Sequence, residues 1–227
     1  MKTPKTALTA PQTAAPLPAR KRGWHASASA KSPHQGKGSA TVSPIRELTE
    51  IARIKGALAE SPRDLSLFIV GIHTGLRGSD LLRLRWGDVI DETSGKPRER
   101  ISVKEQKTGN TRHIAIQSKV QQAIENWRQA SGRAVLPEDF LWPTRIGGPL
   151  TIQRLHQLVN AWCAAAGVKG HFGTHTLRKT YGFHLRRLGY GLDLLMKIFG
   201  HSSPSMTLRY IGIEQEQIDE ANLKLVL

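Results

Sequence analysis

Residues 199–210 of the chain read FGHSSPSMTLRY, and this stretch decides how the C-terminal part of the protein is arranged. The Gly-His pair predicts the end of one helix, and the Ser-Ser-Pro segment predicts a turn before a short helix over 204–211. His201 and Tyr210 lie on either side of that turn, so both side chains can face one site. Moving the tyrosine by one residue would rotate it by about 100° around its helix.

Apolar residues recur with helical spacing over much of the chain outside this turn. Two start signals, Ser43-Pro44 and Ser61-Pro62, each place a proline in the first turn of a predicted helix. The second of these helices is predicted to stop near Gly75. The same reasoning predicts further helices over 79–85, 118–130, 151–166, 175–188, 192–199 and 214–225.

The middle of the chain changes to the alternation that is typical of β-strands. Two alternating runs, at 101–105 and 113–117, flank a Lys107-Thr108-Gly109-Asn110 turn and predict a β-hairpin. A short strand at 88–91 is predicted before it. The predicted fold class is therefore mostly α with a small antiparallel β-sheet (α+β).

Composition narrows the class of protein and of partner. The chain has 227 residues, of which 39% are hydrophobic, and a formal net charge of +15, which favours a polyanionic partner such as nucleic acid or an anionic membrane. No apolar run approaches the roughly 18 residues of a membrane span, and the N-terminus has no secretory h-region. Cys163 is the one cysteine, which excludes an internal disulfide, and its apolar surroundings predict a core residue.

The first 44 residues differ from the rest of the sequence. They are rich in Ala, Pro, Ser, Thr and Gly, and they contain seven Lys/Arg and no acidic residue. Because so few large apolar residues cannot offset the entropy of ordering, residues 1–44 are predicted to form a disordered basic arm. Residues 45–227 are predicted to form the folded domain.

Four separated stretches combine arginine, histidine, lysine and tyrosine in a specific order. They are TGLRGSDLLRLRW (Thr74–Trp86), KEQKTGNTR (Lys104–Arg112), THTLRKTYG (Thr174–Gly182) and the FGHSSPSMTLRY stretch. In order and internal spacing they resemble the tyrosine recombinases of the phage-integrase family. The resemblance covers roughly residues 45–212 and implies the catalytic-domain fold of that family.

The resemblance implies catalytic roles for six residues: Arg77, Lys107, His175, Arg178, His201 and the nucleophile Tyr210. It also implies that Asp80, three residues after Arg77, is the acidic partner of that arginine. Taken alone, each residue has an ordinary structural explanation, such as a solvated arginine, a turn lysine or a half-buried tyrosine. Their joint occurrence in order favours the family interpretation and a complete, active site.

The chemistry of strand cleavage explains why these residue types are needed. Two guanidinium groups suit a transition state whose phosphoryl oxygens gain negative charge, because each is permanently charged and binds oxygens as a planar fork. A phenol with a pKa of about 10 is only about 10⁻³ ionised at neutral pH, so a base must assist it. His175 is the candidate base, His201 a further hydrogen-bond donor, and Lys107 the acid that protonates the leaving 5′ oxygen.

No cofactor and no metal ligand is predicted. A covalent 3′-phosphotyrosine conserves the phosphodiester, so the implied reaction requires neither ATP nor a metal ion. The sequence contains no Gly-rich phosphate loop ending in Gly-Lys-Ser/Thr, and no Cys/His or paired-carboxylate spacing of a metal site.

The implied partner is double-stranded DNA, and no membrane partner is expected. Arg112, Lys179 and Arg186 are predicted phosphate contacts, although each is equally well explained as a solvated charge. The resemblance further implies a homotetramer on two DNA sites, with the apolar stripe of segment 214–225 docking on a neighbouring protomer. A cytoplasmic, nucleoid-associated location is expected.

Two other interpretations remain open from the sequence. Type IB topoisomerases and telomere resolvases use similar chemistry with a different outcome, and a non-catalytic DNA-binding regulator could use the same fold. The chain resembles short, catalytic-domain-only members of the family, because 44 residues of this composition cannot form a separate helical DNA-binding domain. The basic arm is therefore expected to replace part of that domain by following phosphates.

Overall fold

The computed structural model describes residues 41–132, 134–212 and 223–224. Residues 1–40 of the predicted arm lie outside the described residues, as does most of the predicted 214–225 helix. The helices are α1 (Leu48–Ala57), α2 (Pro62–Thr74), α3 (Gly78–Leu81), α4 (Trp86–Val89), α5 (Ser118–Ala130), α6 (Ile152–Ala165), α7 (Thr176–Arg187), α8 (Leu192–Phe199) and α9 (Pro204–Ile211). The strands are β1 (Arg100–Lys104) and β2 (Thr111–Ala115).

The two strands form the predicted antiparallel hairpin, so the mostly α fold class with a small antiparallel sheet is confirmed. Ile101 pairs with Ile114 and Val103 with Arg112 in the register. Alternate residues of β1 are buried, as expected for a strand with one face on the core. The turn at its tip passes through Gly109 at φ 71°, a conformation that glycine adopts without steric cost.

The prediction of a strand at 88–91 was wrong. This segment begins with the short helix α4, and only Ile90 makes an isolated bridge, to Pro97. The helix predicted over 79–85 is also shorter, because α3 ends at Leu81. Short apolar runs do not by themselves distinguish a strand from a buried helical turn.

The first helix begins four residues later than its Ser-Pro signal predicts. The N-cap of α1 is Glu47, and the preceding chain is non-helical. The backbone N–H of Ile45 donates to Oγ1 of Thr180 at 2.9 Å, and the N–H of Ser43 donates to the carbonyl of His171 at 2.7 Å. The chain around Ser43 and Ile45 is therefore hydrogen-bonded to residues of the C-terminal half of the domain.

The main core surrounds α2, which packs against α5 and α7. Trp86, Trp142 and Trp162 are buried in this core, and Trp127 is half-buried at its edge. Buried Trp142 donates from Nε1 to Oγ of Ser66 at 2.7 Å, which satisfies its polar atom inside the core. Cys163 is also a core residue, and burial raises the pKa of its thiol to about 12.

A smaller apolar cluster joins the last three helices. Leu195, Phe199 and Ile211 are buried there, and Tyr181 and Tyr210 pack against them. This cluster holds α8 and α9 against α7, so it sets the position of the turn that the FGHSSPSMTLRY stretch predicts. Among the residues that the structure describes, no helix is both long and apolar enough to cross a membrane.

Candidate active site

Three junctions between helices meet on one side of the domain. Arg77 is the N-cap residue of α3, immediately after α2 ends at Gly75. His175 is the N-cap residue of α7, and Arg178 lies one turn further along that helix. His201 follows Gly200, the left-handed residue that ends α8, and Tyr210 lies in the last turn of α9. Helix ends thus place all five side chains.

The hydroxyl of Tyr210 lies 3.1 Å from Nδ1 of His175, which is a hydrogen-bonding distance. The Tyr210 ring also packs against Phe199 and His201, with centroid separations of 5.2 and 5.0 Å. Its other side lines an open cleft of about 590 Å³, together with His175, Lys179 and Arg209 among others. The tyrosine therefore faces a solvent-accessible pocket rather than the core.

Arg178 is almost completely buried, at 3% exposure. Its Nη1 donates to the carbonyl of Gly75, its Nη2 donates to the carbonyl of Phe199 at 3.2 Å, and the guanidinium lies 4.7 Å from the centroid of the Phe199 ring. Burial lowers the pKa of this guanidinium to about 10, so the group stays protonated at neutral pH.

Gly75 is required at the end of α2 for two reasons. Its φ of 59° is left-handed, and a Cβ at this position would lie 2.3 Å from the ring of Tyr181. The same residue offers its carbonyl to Arg178. The end of α2 therefore provides a hydrogen-bond acceptor for Arg178, and Arg77 follows two residues later as the N-cap of α3.

Arg77 shares an acceptor with Arg178, which shows how close the two guanidiniums are. Nη2 of Arg77 lies 3.4 Å from the carbonyl of Phe199, the same oxygen that Arg178 contacts. Nη1 of Arg77 lies 2.7 Å from Oε2 of Glu105 and 4.0 Å from Oδ2 of Asp80. Asp80 is thus a neighbour of Arg77, but Glu105 makes the closer ion pair.

His201 is oriented by the helix that follows it. Its Nδ1 lies 3.0 Å from Oγ1 of buried Thr207, which leaves Nε2 for a ligand. Its backbone N–H donates to the carbonyl of Met196 across the glycine turn. Burial, followed by the charges of Arg178, Arg77 and Lys107, lowers the pKa of this imidazole.

The resting protonation states follow from burial and from the local positive charge. Burial lowers the pKa of His175, and the charges of Arg178, Lys179, Arg77 and Lys107 lower it further. Burial raises the pKa of the Tyr210 phenol, and the charges of Arg178 and Arg77 oppose this rise without cancelling it. At neutral pH the site therefore pairs a neutral imidazole with a protonated phenol.

Lys107 is exposed in the turn between β1 and β2. Its charge contributes to the lowered pKa values of both His175 and His201. Glu105, two residues before Lys107, pairs with Arg77, so the hairpin tip lies beside the guanidinium cluster. All six residues predicted as catalytic are brought into this region.

The three predicted phosphate contacts lie in different environments. Lys179 is buried, its Nζ donates to the carbonyl of Val42 at 2.8 Å, and it lies 5.3 Å from the centroid of the Tyr210 ring. Arg112 is largely buried, beside Glu105 and the carbonyls at the end of α2. Only Arg186 is exposed, where it donates to the carbonyl of Tyr190 at 3.1 Å. Lys179 and Arg112 are therefore not the solvated charges of the alternative interpretation, whereas contact of the three residues with phosphate stays a prediction.

Two residues of the site were missed from the sequence, Glu105 and Thr207. Glu105 continues the inward-facing alternation of Ile101 and Val103, and an acid at a buried strand position signals a required cation partner. Thr207 carried no comparable signal, because a threonine inside a short helix is common without any polar role.

Comparison with known proteins places the chain among DNA recombinases. Residues 45–217 match the phage integrase family. The chain is 34% identical over 177 residues to the probable integrase/recombinase YoeC of Bacillus subtilis (strain 168), covering 77% of this chain and 92% of YoeC. It is 28% identical to a tyrosine recombinase of Pseudothermotoga lettingae and 25% identical to XerC of Mesorhizobium japonicum, of which it spans 58% and 62%.

Solved structures with the same fold include recombinases bound to DNA. The XerA recombinase superimposes with a TM-score of 0.66 at 18% identity, covering 85% of this chain and 67% of XerA. The XerH recombinase bound to its palindromic difH substrate gives 0.63 at 20% identity, covering 81% and 53%. A lambda integrase tetramer bound to a Holliday junction gives 0.54 at 18% identity, covering 76% and 49%.

Proposed function

We propose, from the premise that this chain belongs to the phage integrase family, that it is a site-specific DNA recombinase. It cleaves and rejoins DNA strands through a covalent 3′-phosphotyrosyl intermediate. The observation that carries the proposal is the 3.1 Å approach of the Tyr210 hydroxyl to His175, beside two converging guanidiniums. The resemblance stated from the sequence is confirmed at the level of the family.

The reaction begins with the phenol of Tyr210. Its oxygen attacks the scissile phosphorus, and its proton passes to Nδ1 of His175, which is neutral because burial and neighbouring cations lower its pKa. Arg178 and Arg77 reduce the cost of developing negative charge on the phenolic oxygen. The bond formed is the ester between Tyr210 and the 3′ phosphate.

The transition state spreads negative charge over the non-bridging phosphoryl oxygens. Arg77 and Arg178 would bind these oxygens, with the guanidiniums held in place by the carbonyls of Gly75 and Phe199. With the Thr207 hydroxyl donating to Nδ1, the neutral imidazole of His201 would carry its proton on Nε2 and add a third donor. Preorganised donors of this kind each contribute on the order of 10²–10³ in rate.

The bond that breaks joins phosphorus to the 5′ oxygen of the next nucleotide. Lys107 donates a proton to this oxygen, so the leaving group departs as a free 5′-hydroxyl. Rejoining is the reverse reaction with a 5′-hydroxyl from either strand. Because the phosphotyrosyl ester conserves the free energy of the phosphodiester, the cycle as drawn consumes no ATP and calls for no metal ion.

Double-stranded DNA is the proposed substrate, and two protomers on each of two sites form the proposed working assembly. The XerH structure contains its difH substrate. Lambda integrase occurs as a dimer on a core site and as a tetramer on a Holliday junction. The C-terminal segment is proposed to dock on a neighbouring protomer. Truncation after Ile213 should then reduce recombination more than single-site cleavage, whereas equal losses would contradict docking. The proposed location is the cytoplasm, on the nucleoid.

Trapping of the covalent intermediate tests the function. Adducts formed on DNA of the source organism are mapped by sequencing, and a nicked duplex carrying the mapped site then serves as a suicide substrate. The wild-type protein should form a protein–DNA adduct at one sequence, and the Tyr210→Phe protein should form none. Relaxation of plasmid without site preference would instead indicate a topoisomerase, and absence of any adduct would indicate a non-catalytic regulator.

A further inference from the structure

The residues that flank Lys107 are tied to the domain on both sides. The backbone N–H of Gln106 donates to Oδ1 of Asp80 at 3.1 Å, and the hydroxyl of Thr108 donates to Oε2 of Glu105 at 2.8 Å. Within the turn, the N–H of Gly109 donates to the carbonyl of Glu105 at 2.9 Å. The exposed turn is therefore anchored at the residues next to its lysine.

Both ties lead to the neighbourhood of Arg77. Oε2 of Glu105, which accepts from Thr108, also lies 2.7 Å from Nη1 of Arg77, and Asp80 lies 4.0 Å from the same nitrogen. The other oxygen of Glu105 lies 3.7 Å from Nη1 of Arg112. A single carboxylate thus connects the hairpin turn to the guanidinium cluster.

The carboxylate of Glu105 is charged in spite of its burial at 5% exposure. Burial raises the pKa of this group, but the adjacent guanidinium of Arg77, the hydrogen bond from Thr108 and the charge of Arg112 together lower it below its ordinary value. An ionised, buried acceptor gives short and directional hydrogen bonds. Glu105 is therefore suited to hold the turn in one position.

We propose that Glu105, acting through Thr108, is a positioning residue that holds the Lys107 ammonium at the leaving 5′ oxygen. The inference rests on the proposed function and goes beyond it. It states that the acid step by Lys107 depends on the connection that Glu105 makes between Thr108 in the hairpin and Arg77. General acid catalysis requires the donor within about 3 Å of the oxygen, and a misplacement of about 1 Å can reduce the rate on the order of 10²-fold.

Arg77 keeps its other contacts when the Thr108 hydroxyl is removed. Its guanidinium also contacts the carbonyl of Phe199, and Asp80 lies beside it. On either side of Lys107, the backbone N–H of Gln106 donates to Asp80 and the hydroxyl of Thr108 donates to Glu105. Removal of the Thr108 hydroxyl therefore loosens the lysine and leaves both the charge of Glu105 and its ion pair with Arg77 in place.

A substrate with sulfur in place of the 5′ bridging oxygen tests this directly. Cleavage then expels a thiolate, the conjugate base of a thiol with a pKa of about 8.5, which leaves without protonation. Single-turnover adduct formation is measured on the oxygen and sulfur substrates for wild type, Lys107→Ala, Thr108→Val and Glu105→Gln. Thr111→Val, at an exposed position of β2 four residues from Lys107, is the matched control.

Thr108→Val is expected to lose about tenfold or more on the oxygen substrate and to recover on the sulfur substrate, as Lys107→Ala does. Glu105→Gln also weakens the ion pair of Arg77, so it should recover only in part on the sulfur substrate. Thr111→Val should behave as wild type on both. If the rates of Thr108→Val are unchanged, or if they fall equally on both substrates, the inference is overturned. The proposed function still stands in that case, provided that the wild-type protein forms the adduct. Failure of wild type to form an adduct overturns both. Circular dichroism and thermal melting show whether each variant is folded.

Discussion

The hydroxyl of Tyr210 lies 3.1 Å from Nδ1 of His175, although 35 residues separate them in the chain. The contact exists because α7 and α9 pack through Phe199 and Ile211, which brings the end of one helix to the start of the other. It places a half-buried phenol against a neutral base before any substrate binds. The nucleophile and its base are therefore preorganised by helix packing.

Stability should fall as the pH decreases below about 6.5, the ordinary pKa of histidine. Burial lowers the folded-state pKa values of His73, His175, His184 and His201. Between the folded and unfolded pKa values the unfolded chain binds more protons, so the free energy of unfolding rises with pH in that window and is fully recovered above it. Urea denaturation at pH 7 and pH 5.5 measures this, and NMR titration assigns each imidazole. Equal stability at the two pH values would contradict the prediction.

The Arg178→Lys substitution should lower adduct formation by about 10²–10³-fold. One ammonium cannot reproduce the planar fork that contacts the carbonyls of Gly75 and Phe199 together. Arg187→Lys, on the exposed part of the same helix, is the control and should cleave at the wild-type rate. Wild-type activity of the Arg178→Lys protein would show that the fork is not needed.

Thr207→Val should reduce cleavage severalfold without unfolding the protein. The substitution keeps the shape of the buried side chain but removes the oxygen that orients His201, and a hydrogen bond contributes about 1 kcal/mol. Thr207→Ser retains the hydroxyl and should restore most of the rate. Equal impairment of the serine and valine proteins would mean that the methyl group, not the hydrogen bond, matters.

Gly182→Ala should reduce the rate of cleavage more than another substitution that lowers the free energy of unfolding by the same amount. An added Cβ would lie 2.5 Å from Cζ of Phe199, whose ring packs against both Tyr210 and Arg178. Overpacking typically costs about 1–3 kcal/mol, and here the displaced ring is part of the site. Gly71→Ala, whose Cβ would lie 2.6 Å from Leu177, is the control. It should lose similar stability in thermal melts but cleave normally, and a parallel loss of activity would refute the role of the Phe199 ring.

Deleting residues 1–40 should weaken DNA binding and flatten its dependence on salt. The predicted arm carries seven cations and no acid, and each lost phosphate contact reduces the slope of log K against log salt by about 0.9. Binding to a duplex of fixed length is measured at several salt concentrations. A full-length variant with the seven Lys/Arg changed to Gln separates charge from length, and an unchanged slope in both proteins would exclude the arm from binding.

The sequence predicted the elements that local chemistry determines. Helix boundaries follow from proline at the start of α2 and α9 and from glycine after α2, α8 and α9. Strand β1 follows from the alternation at 101–105. These signals are readable because capping and turn conformations depend on neighbouring residues. The spacing of His201 and Tyr210 across one turn was readable for the same reason. The six predicted site residues came from motif order, and the structure brings them to one region.

Only the tertiary structure decided which charged side chains face the cleft and which hold it together. Lys179 and Arg112 resemble surface cations in the sequence, but their heads are bound to carbonyls inside the domain. Glu105 resembles a strand residue, but its carboxylate joins the hairpin to Arg77. Sequence determines the charge of a residue, whereas its partners come from segments distant in the chain. Their approach depends on how the helices pack.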